Sequence, residues 1–95
     1  MAEGKRTLIY RAHAIRRMFE RRISEMTVQT VLSTGEVIES YPSDVPYPSK
    51  LVLGWSDNRP IHVVVAETKN TSIIVTVYEP DPKRWNHEFR HRRPG

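Results

Sequence analysis

Two groups of side chains in this sequence have the types and spacing for chemistry on a phosphodiester. The first is His13, Arg17 and Arg21, separated by steps of four. On a helix such steps bring side chains to one face. Arginine offers a forked donor that suits a phosphoryl group and the charge developing on it. A histidine beside it can move a proton near neutral pH. Arg16 and Glu20 border the same face. The plain alternative is a solvated charged face in which Glu20 relieves the repulsion between Arg17 and Arg21. The chemistry requires this edge of the helix to meet an open sheet face. The second group is His62 and Tyr78, on two β-rich stretches joined by a turn near Lys69-Asn70. A three-residue loop sets His62 opposite Tyr78, whereas a loop of two or four sets Ile61 there. Opposed, the imidazole and the phenol would share one sheet face as a pair for proton transfer or phosphate binding. The alternative is a half-buried histidine satisfied by a backbone carbonyl, beside a tyrosine at the edge of the core. Lys83 and Arg84 add cations just after the last strand.

Other patterns carry less. His87-Glu88-x-x-His91 matches a zinc-protease string, but that site needs a long helix and a third ligand. Only four residues follow His91, so the match is read as chance and no metal is expected. Glycines stand alone at 4, 35, 54 and 95, so no loop can cradle a nucleotide phosphate and no cofactor is implied. The absence of cysteine removes disulfides, thiolate metal sites and a thiol nucleophile.

The elements that must position these groups follow from hydrophobic period. Thr7 to Tyr10 can be a short strand after a frayed arm at residues 1–6. From Arg11 to Arg22 the period is helical, with Ala12, Ile15, Met18 and Phe19 on the core side and a basic outer face. Ser24 or Thr27 can cap a second helix running to Ser33, with Met26, Val28, Val31 and Leu32 as its apolar contacts and Gly35 as its C′ residue. Strands are expected at 36–41, 51–55, 61–67 and 73–79, separated by a proline-rich excursion at 42–48 and two turns. Residues 85–92 read as a short helix or an extended tail, and Trp55 and Trp85 as rim residues of a small core. The expected fold is α+β with the order (β)ααββββ: an αα-hairpin packed on a four-stranded antiparallel sheet. Its second face is then available to a ligand or partner.

The 95 residues allow one domain, with a core at about 7–86 and basic, flexible ends at 1–6 and 87–95. Net charge is +4, yet it is unevenly spread. Residues 1–22 carry a local +5, residues 23–80 a local −4 and residues 81–95 a local +3. Cations at both ends of a mildly acidic middle suggest a polyanion partner, most simply RNA. No apolar run is long enough to span a membrane, and the first residues lack a secretory pattern, so a cytoplasmic location is expected.

The string His13-Ala14-x-x-Arg17-Met18-x-x-Arg21-x-Ile23-Ser24 resembles the opening of domain-of-unknown-function family 4258. Gly35-Glu36-Val37-Ile38-Glu39-x-Tyr41, Leu51-x-Leu53-Gly54, Arg59-Pro60-Ile61-His62-Val63-Val64 and Ile74-Val75-Thr76-Val77-Tyr78-x-Pro80-Asp81 follow in the family's order, ending at Trp85. The resemblance implies kinship with the MqsR and RelE groups of mRNA-cleaving toxins, a RelE-like fold, and a cognate antitoxin, of the zinc-finger MqsA kind. The lysines and glutamine of the MqsR group have no counterparts here, so no catalytic residue is carried over from it. The family's recurring positions are matched by His13, Arg17, Arg21, His62 and Tyr78. The expected activity is a metal-independent endoribonuclease in which the ribose 2′-OH attacks phosphorus. His13 or His62 would serve as base and acid, Arg17 and Arg21 as phosphate clamps, and Tyr78 as positioning group or acid. The alternative is a module that binds RNA or a protein partner without turnover.

Overall fold

Local signals start and stop each helix, and the β-branched runs that follow pair into one sheet. The computed structural model describes residues 7–94. It contains β1 (Thr7–Tyr10), α1 (Ala12–Arg21), α2 (Glu25–Thr34), β2 (Glu36–Tyr41), β3 (Ser49–Ser56), β4 (Arg59–Glu67) and β5 (Thr71–Tyr78). The arm expected at residues 1–6 lies outside the described residues. The class is α+β, with both helices between β1 and β2. The sheet has five strands in the order β1-β5-β4-β3-β2. Strands β2 to β5 form the antiparallel meander, and β1 adds a fifth strand, parallel to β5. Four residues are too few to show a period, so the sequence pattern does not place β1 in the sheet.

Ser24 caps α2, its Oγ accepting a hydrogen bond from the Thr27 N–H at 3.0 Å. Helix α1 ends on Arg22 in the left-handed region, φ 56°, a conformation uncommon outside glycine and asparagine. Gly35 closes α2 with φ −80°, so its backbone is not left-handed as a C′ glycine would be. What fixes glycine there is crowding: a Cβ would lie 2.4 Å from the Val31 carbonyl oxygen and 2.6 Å from that of Leu53. Gly54 is similar, with Val31 Cγ2 at 2.7 Å from a built Cβ, so α2 sits directly on the sheet backbone.

The helices pack on the sheet rather than on each other, α1 over β5 and α2 over β3 and β4. Ala14, Met18, Ile23, Val28 and Val31 meet Val52, Ile61, Val63, Val65, Ile74 and Val77 in the core. The expected core side of α1 is therefore turned. Ala14 replaces Ala12 at its centre, and Phe19 stands 85% exposed. Ile15 and, on α2, Met26 are exposed too. With only Ala14 and Met18 needed to cover β5, the helix rotates so that its Arg17 and Arg21 flank comes down beside the strand.

The second sheet face is covered, where an open one was expected. Residues 80–94 fold back across it as a small hairpin, neither helix nor free tail. Trp85 bridges Arg92, and the Arg93 N–H donates to the Arg84 carbonyl at 2.7 Å. The Asn86 side chain organises the turn by accepting from the Glu88 and Arg90 N–H groups. Trp85 is buried against His62, and the Phe89 ring packs edge-on against half-exposed Trp55. Two ion pairs fasten the hairpin to β2: Arg90 with Glu36 at 2.9 Å and Arg92 with Glu39 at 3.0 Å. The basic tail is thus paired with the acidic middle. No helix among the described residues is long and apolar enough to cross a membrane.

Candidate functional site

The sheet register places His62 directly opposite Tyr78. The connection between β4 and β5 would not do this alone. Glu67 pairs with Ser72 across a four-residue turn, a register that would oppose Ile61 to Tyr78. A bulge between Val64 and Val65, which leaves Val75 unpaired on β5, shifts the register by one. His62 and Tyr78 therefore share the face covered by the tail.

His62 is wholly buried, and both ring nitrogens are engaged. Nε2 lies 2.9 Å from the Phe89 carbonyl oxygen. A carbonyl only accepts, so Nε2 carries the hydrogen and donates. Nδ1 is then the acceptor and takes the Tyr78 hydroxyl hydrogen at 3.2 Å. Burial holds the imidazole pKa below its ordinary value, outweighing the Phe89 carbonyl and the Glu39 charge that favour protonation. The ring is neutral at neutral pH. Phe89 adopts φ 64° while presenting its carbonyl this way. A left-handed phenylalanine costs about 1–3 kcal/mol, so the surrounding contacts must over-determine it.

Tyr78 faces outward on the other side of this pair. Its ring lines a cleft of about 460 Å³ at the β5 edge, together with Arg17, Arg21, Thr76, Glu79, Asp81, Arg84, Trp85 and Arg92. The rotation of α1 supplies Arg17 and Arg21, and the tail supplies Arg84 and Arg92. Arg21 and Arg84 have no ion-pair partner among the described residues, and Arg17 meets Glu20 only at 4.0 Å. Glu79 is neutralised by Arg59 at 2.9 Å. The Arg59 guanidinium also donates to the carbonyls of Arg21 and Arg22, locking the end of α1 to β4. Asp81 is the remaining carboxylate of the lining and Arg92 is paired with Glu39, so Arg17, Arg21 and Arg84 leave the cleft net cationic, with one phenol in its wall. Burial pushes the Tyr78 phenol up from its ordinary value, so it is protonated at neutral pH.

Arg92 is the residue that sequence reasoning missed. Its guanidinium lies 4.6 Å from the Trp85 ring centre and binds both Glu39 carboxylate oxygens. Burial pushes the Glu39 carboxyl up, but hydrogen bonds from Arg92 and Tyr41 outweigh this and hold it below the usual carboxylate range. Nothing in the basic tail distinguished Arg92 from its neighbours. Of the residues expected at the site, Arg17, Arg21, Tyr78 and Arg84 converge on the cleft, with His62 behind Tyr78. His13 and Arg16 stand exposed on the outer face of α1, and Lys83 is exposed beside the cleft without lining it. His87 and His91 sit on turns, so the zinc-protease geometry does not form, and no group of three metal-ligating residues occurs among the described residues.

The family model described as Domain of unknown function (DUF4258) matches residues 10–79. No curated protein and no solved structure matches the chain.

Proposed function

The chain belongs to the DUF4258 family, and from that footing we propose that its cleft binds the phosphate chain of single-stranded RNA and cleaves it by 2′-OH attack. One observation carries this reading: Arg17, Arg21, Arg84 and Arg92 converge on a groove whose wall holds Tyr78, backed by neutral His62. Arginines from α1 and from the tail suit the charge that builds on a pentacovalent phosphorus. Tyr78 Oη takes the 2′-OH proton as its own passes to His62 Nδ1, and the Phe89 carbonyl braces the Nε2–H of the resulting imidazolium. The 2′-oxygen bonds to phosphorus, O5′ leaves and takes a proton from water, and a 2′,3′-cyclic phosphate and a 5′-hydroxyl result. Kinship of the family with the MqsR and RelE toxin groups is part of this proposal, and with it come the same substrate class and a cognate antitoxin of the zinc-finger MqsA kind.

Binding without turnover is the second reading, and the complete burial of His62 favours it. One experiment separates the two. Wild-type protein and an Arg17→Ala/Arg21→Ala variant are incubated with mixed-sequence single-stranded RNA in EDTA, and their affinity for a 2′-deoxy analogue is measured against salt. Cyclic-phosphate products from the wild type support the ribonuclease. The double variant binds more weakly, and its salt slope is flatter by about 1.4, at about 0.7 per single-strand phosphate contact. Salt-dependent binding with intact RNA selects the binding module. Absence of both refutes the cleft.

A further inference from the structure

The cleft reaches Thr76 on β5. A second, smaller hollow opens on the same sheet face further back along β5. Its volume is about 150 Å³, with Val64, Ala66 and Val75 among its walls, as are Asp44 and Tyr47 of the connection after β2. Arg11, at the entry to α1, also lines it. Val75 and Tyr78 are three positions apart on one strand, roughly 10 Å at about 3.3 Å per residue. Neighbouring nucleotides of one strand can therefore occupy both places.

The chemistry of the hollow is that of a base site. Its walls join five aliphatic side chains, Val45 and Pro46 among them, to one tyrosine ring, the surfaces on which a base stacks or rests. An engineered cavity of about 150 Å³ takes one benzene ring, so the volume suits a single six-membered ring and is small for a fused purine. Asp44 supplies direction. Its Oδ2 accepts from the Ser49 hydroxyl at 2.6 Å, which fixes the carboxylate, while Oδ1 has no partner among the described residues. A fixed carboxylate accepts from an exocyclic amine and repels a carbonyl oxygen. Among pyrimidines that selects cytosine, whose N4 amine donates, over uracil, whose O4 accepts. Arg11 has no ion pair among the described residues and stands where it can meet the adjoining phosphate.

We infer that this hollow is a cytosine subsite, in which Asp44 reads the N4 amine and Tyr47 holds the ring. The inference deepens the cleft reading and rests on it for the path of the strand, but the pocket can be tested without the cleft. Free cytidine and free uridine, which carry no phosphate, are titrated into labelled full-length protein and followed through the Val64 and Val75 methyl signals. In parallel, oligouridine with and without a central cytidine is bound to wild type and to Asp44→Asn. Cytidine is expected to shift both valines with uridine weaker on the order of tenfold, as for a specific polar base contact. The cytidine-containing strand is expected to bind about tenfold tighter than oligouridine, with the preference lost in Asp44→Asn because an amide can face either base. Strands that bind alike, with no methyl response to cytidine, overturn the subsite and leave the cleft standing. A methyl response to cytidine without strand binding keeps the subsite and overturns the cleft. Silence in both arms overturns both, and an equal response to both nucleosides overturns the cytosine assignment.

Discussion

Tyr78→Phe removes one oxygen and little else. The ring still meets His62 edge-on at 5.2 Å between centres, so packing is retained. What is lost is the hydroxyl that donates to Nδ1 across 3.2 Å, leaving a buried acceptor without a partner. Leaving a buried acceptor unpaired costs about 1–3 kcal/mol, and because 3.2 Å is long for a hydrogen bond the low end, about 1 kcal/mol, applies. A domain of this size loses about 4–8 °C in Tm for each kcal/mol, so a fall of roughly 5 °C is expected. A loss of about 1 kcal/mol leaves a domain with roughly 5–14 kcal/mol of stability essentially all folded at room temperature. Any fall in activity there must come from the chemistry. A positioned proton-transfer group contributes about 10²–10⁴ in rate, so cleavage is expected to slow by at least about 100-fold. Affinity for a 2′-deoxy strand should stay close to wild type, because the phosphate contacts are arginines. Calorimetry, single-turnover cleavage in EDTA and binding to the deoxy strand measure the three quantities. Cleavage within about threefold of wild type would refute the role given to Tyr78, and an unchanged Tm would refute its hydrogen bond to His62.

Stability should depend on His62 in a defined direction. Its folded pKa lies below the 6.5 of the free imidazole, so below about pH 6.5 the unfolded chain binds more protons than the folded one. Its contribution is complete above that pH and is lost as pH falls, which urea unfolding of wild type against His62→Gln will show as a difference that shrinks toward acid. Arg92→Ala removes an exposed bidentate pair with Glu39 and the contact with Trp85; a loss of about 1 kcal/mol is expected. Faster amide exchange should follow at Arg93 and Asn86 but not in β4, and uniform exchange would count against the tail as a separate strap. Gly35→Ala must push two carbonyl oxygens aside and should cost about 1–3 kcal/mol in chemical denaturation, with no change expected if the segment yields freely.

The sequence disclosed the elements better than their relations. Ser24 at the start of α2 and the valine run of β4 were legible because capping and hydrophobic period act locally. The rotation of α1 was not, because Ile15 and Phe19 are apolar and only the width of the strand beneath decides which apolar residues are used. That same rotation carries Arg17 and Arg21 into the cleft and leaves His13 outside. The pairing of His62 with Tyr78 depended on a one-residue bulge at Val75, and no residue type there announces it. Glycine often marks a bulge, but here the extra residue is a valine between two other β-branched residues, Ile74 and Thr76.

Under the proposed function, covering the second face relocates the chemistry rather than removing it. A histidine exposed on an open sheet would titrate freely and could meet RNA directly. Under Trp85 and the Phe89 carbonyl it is dry, neutral and fixed in one tautomer, and it reaches the surface only through Tyr78. A proton relay from cleft to buried base gains from that fixity, since the imidazole needs no reorientation when the proton arrives. It also makes the tail part of the site: Phe89 holds the proton on Nε2, and Arg84 and Arg92 complete the cationic wall. The tail lies beyond the span that matches the family model, residues 10–79. The β5 edge and α1 flank therefore supply the phenol and two arginines within that span, while the brace for the base comes from outside it. Trimming the chain at Pro80 should accordingly leave weak phosphate binding through Arg17 and Arg21 and abolish cleavage, provided circular dichroism shows the sheet intact. Undiminished cleavage by that folded fragment would show that His62 works without its brace, and that the covered arrangement is not the one that reacts.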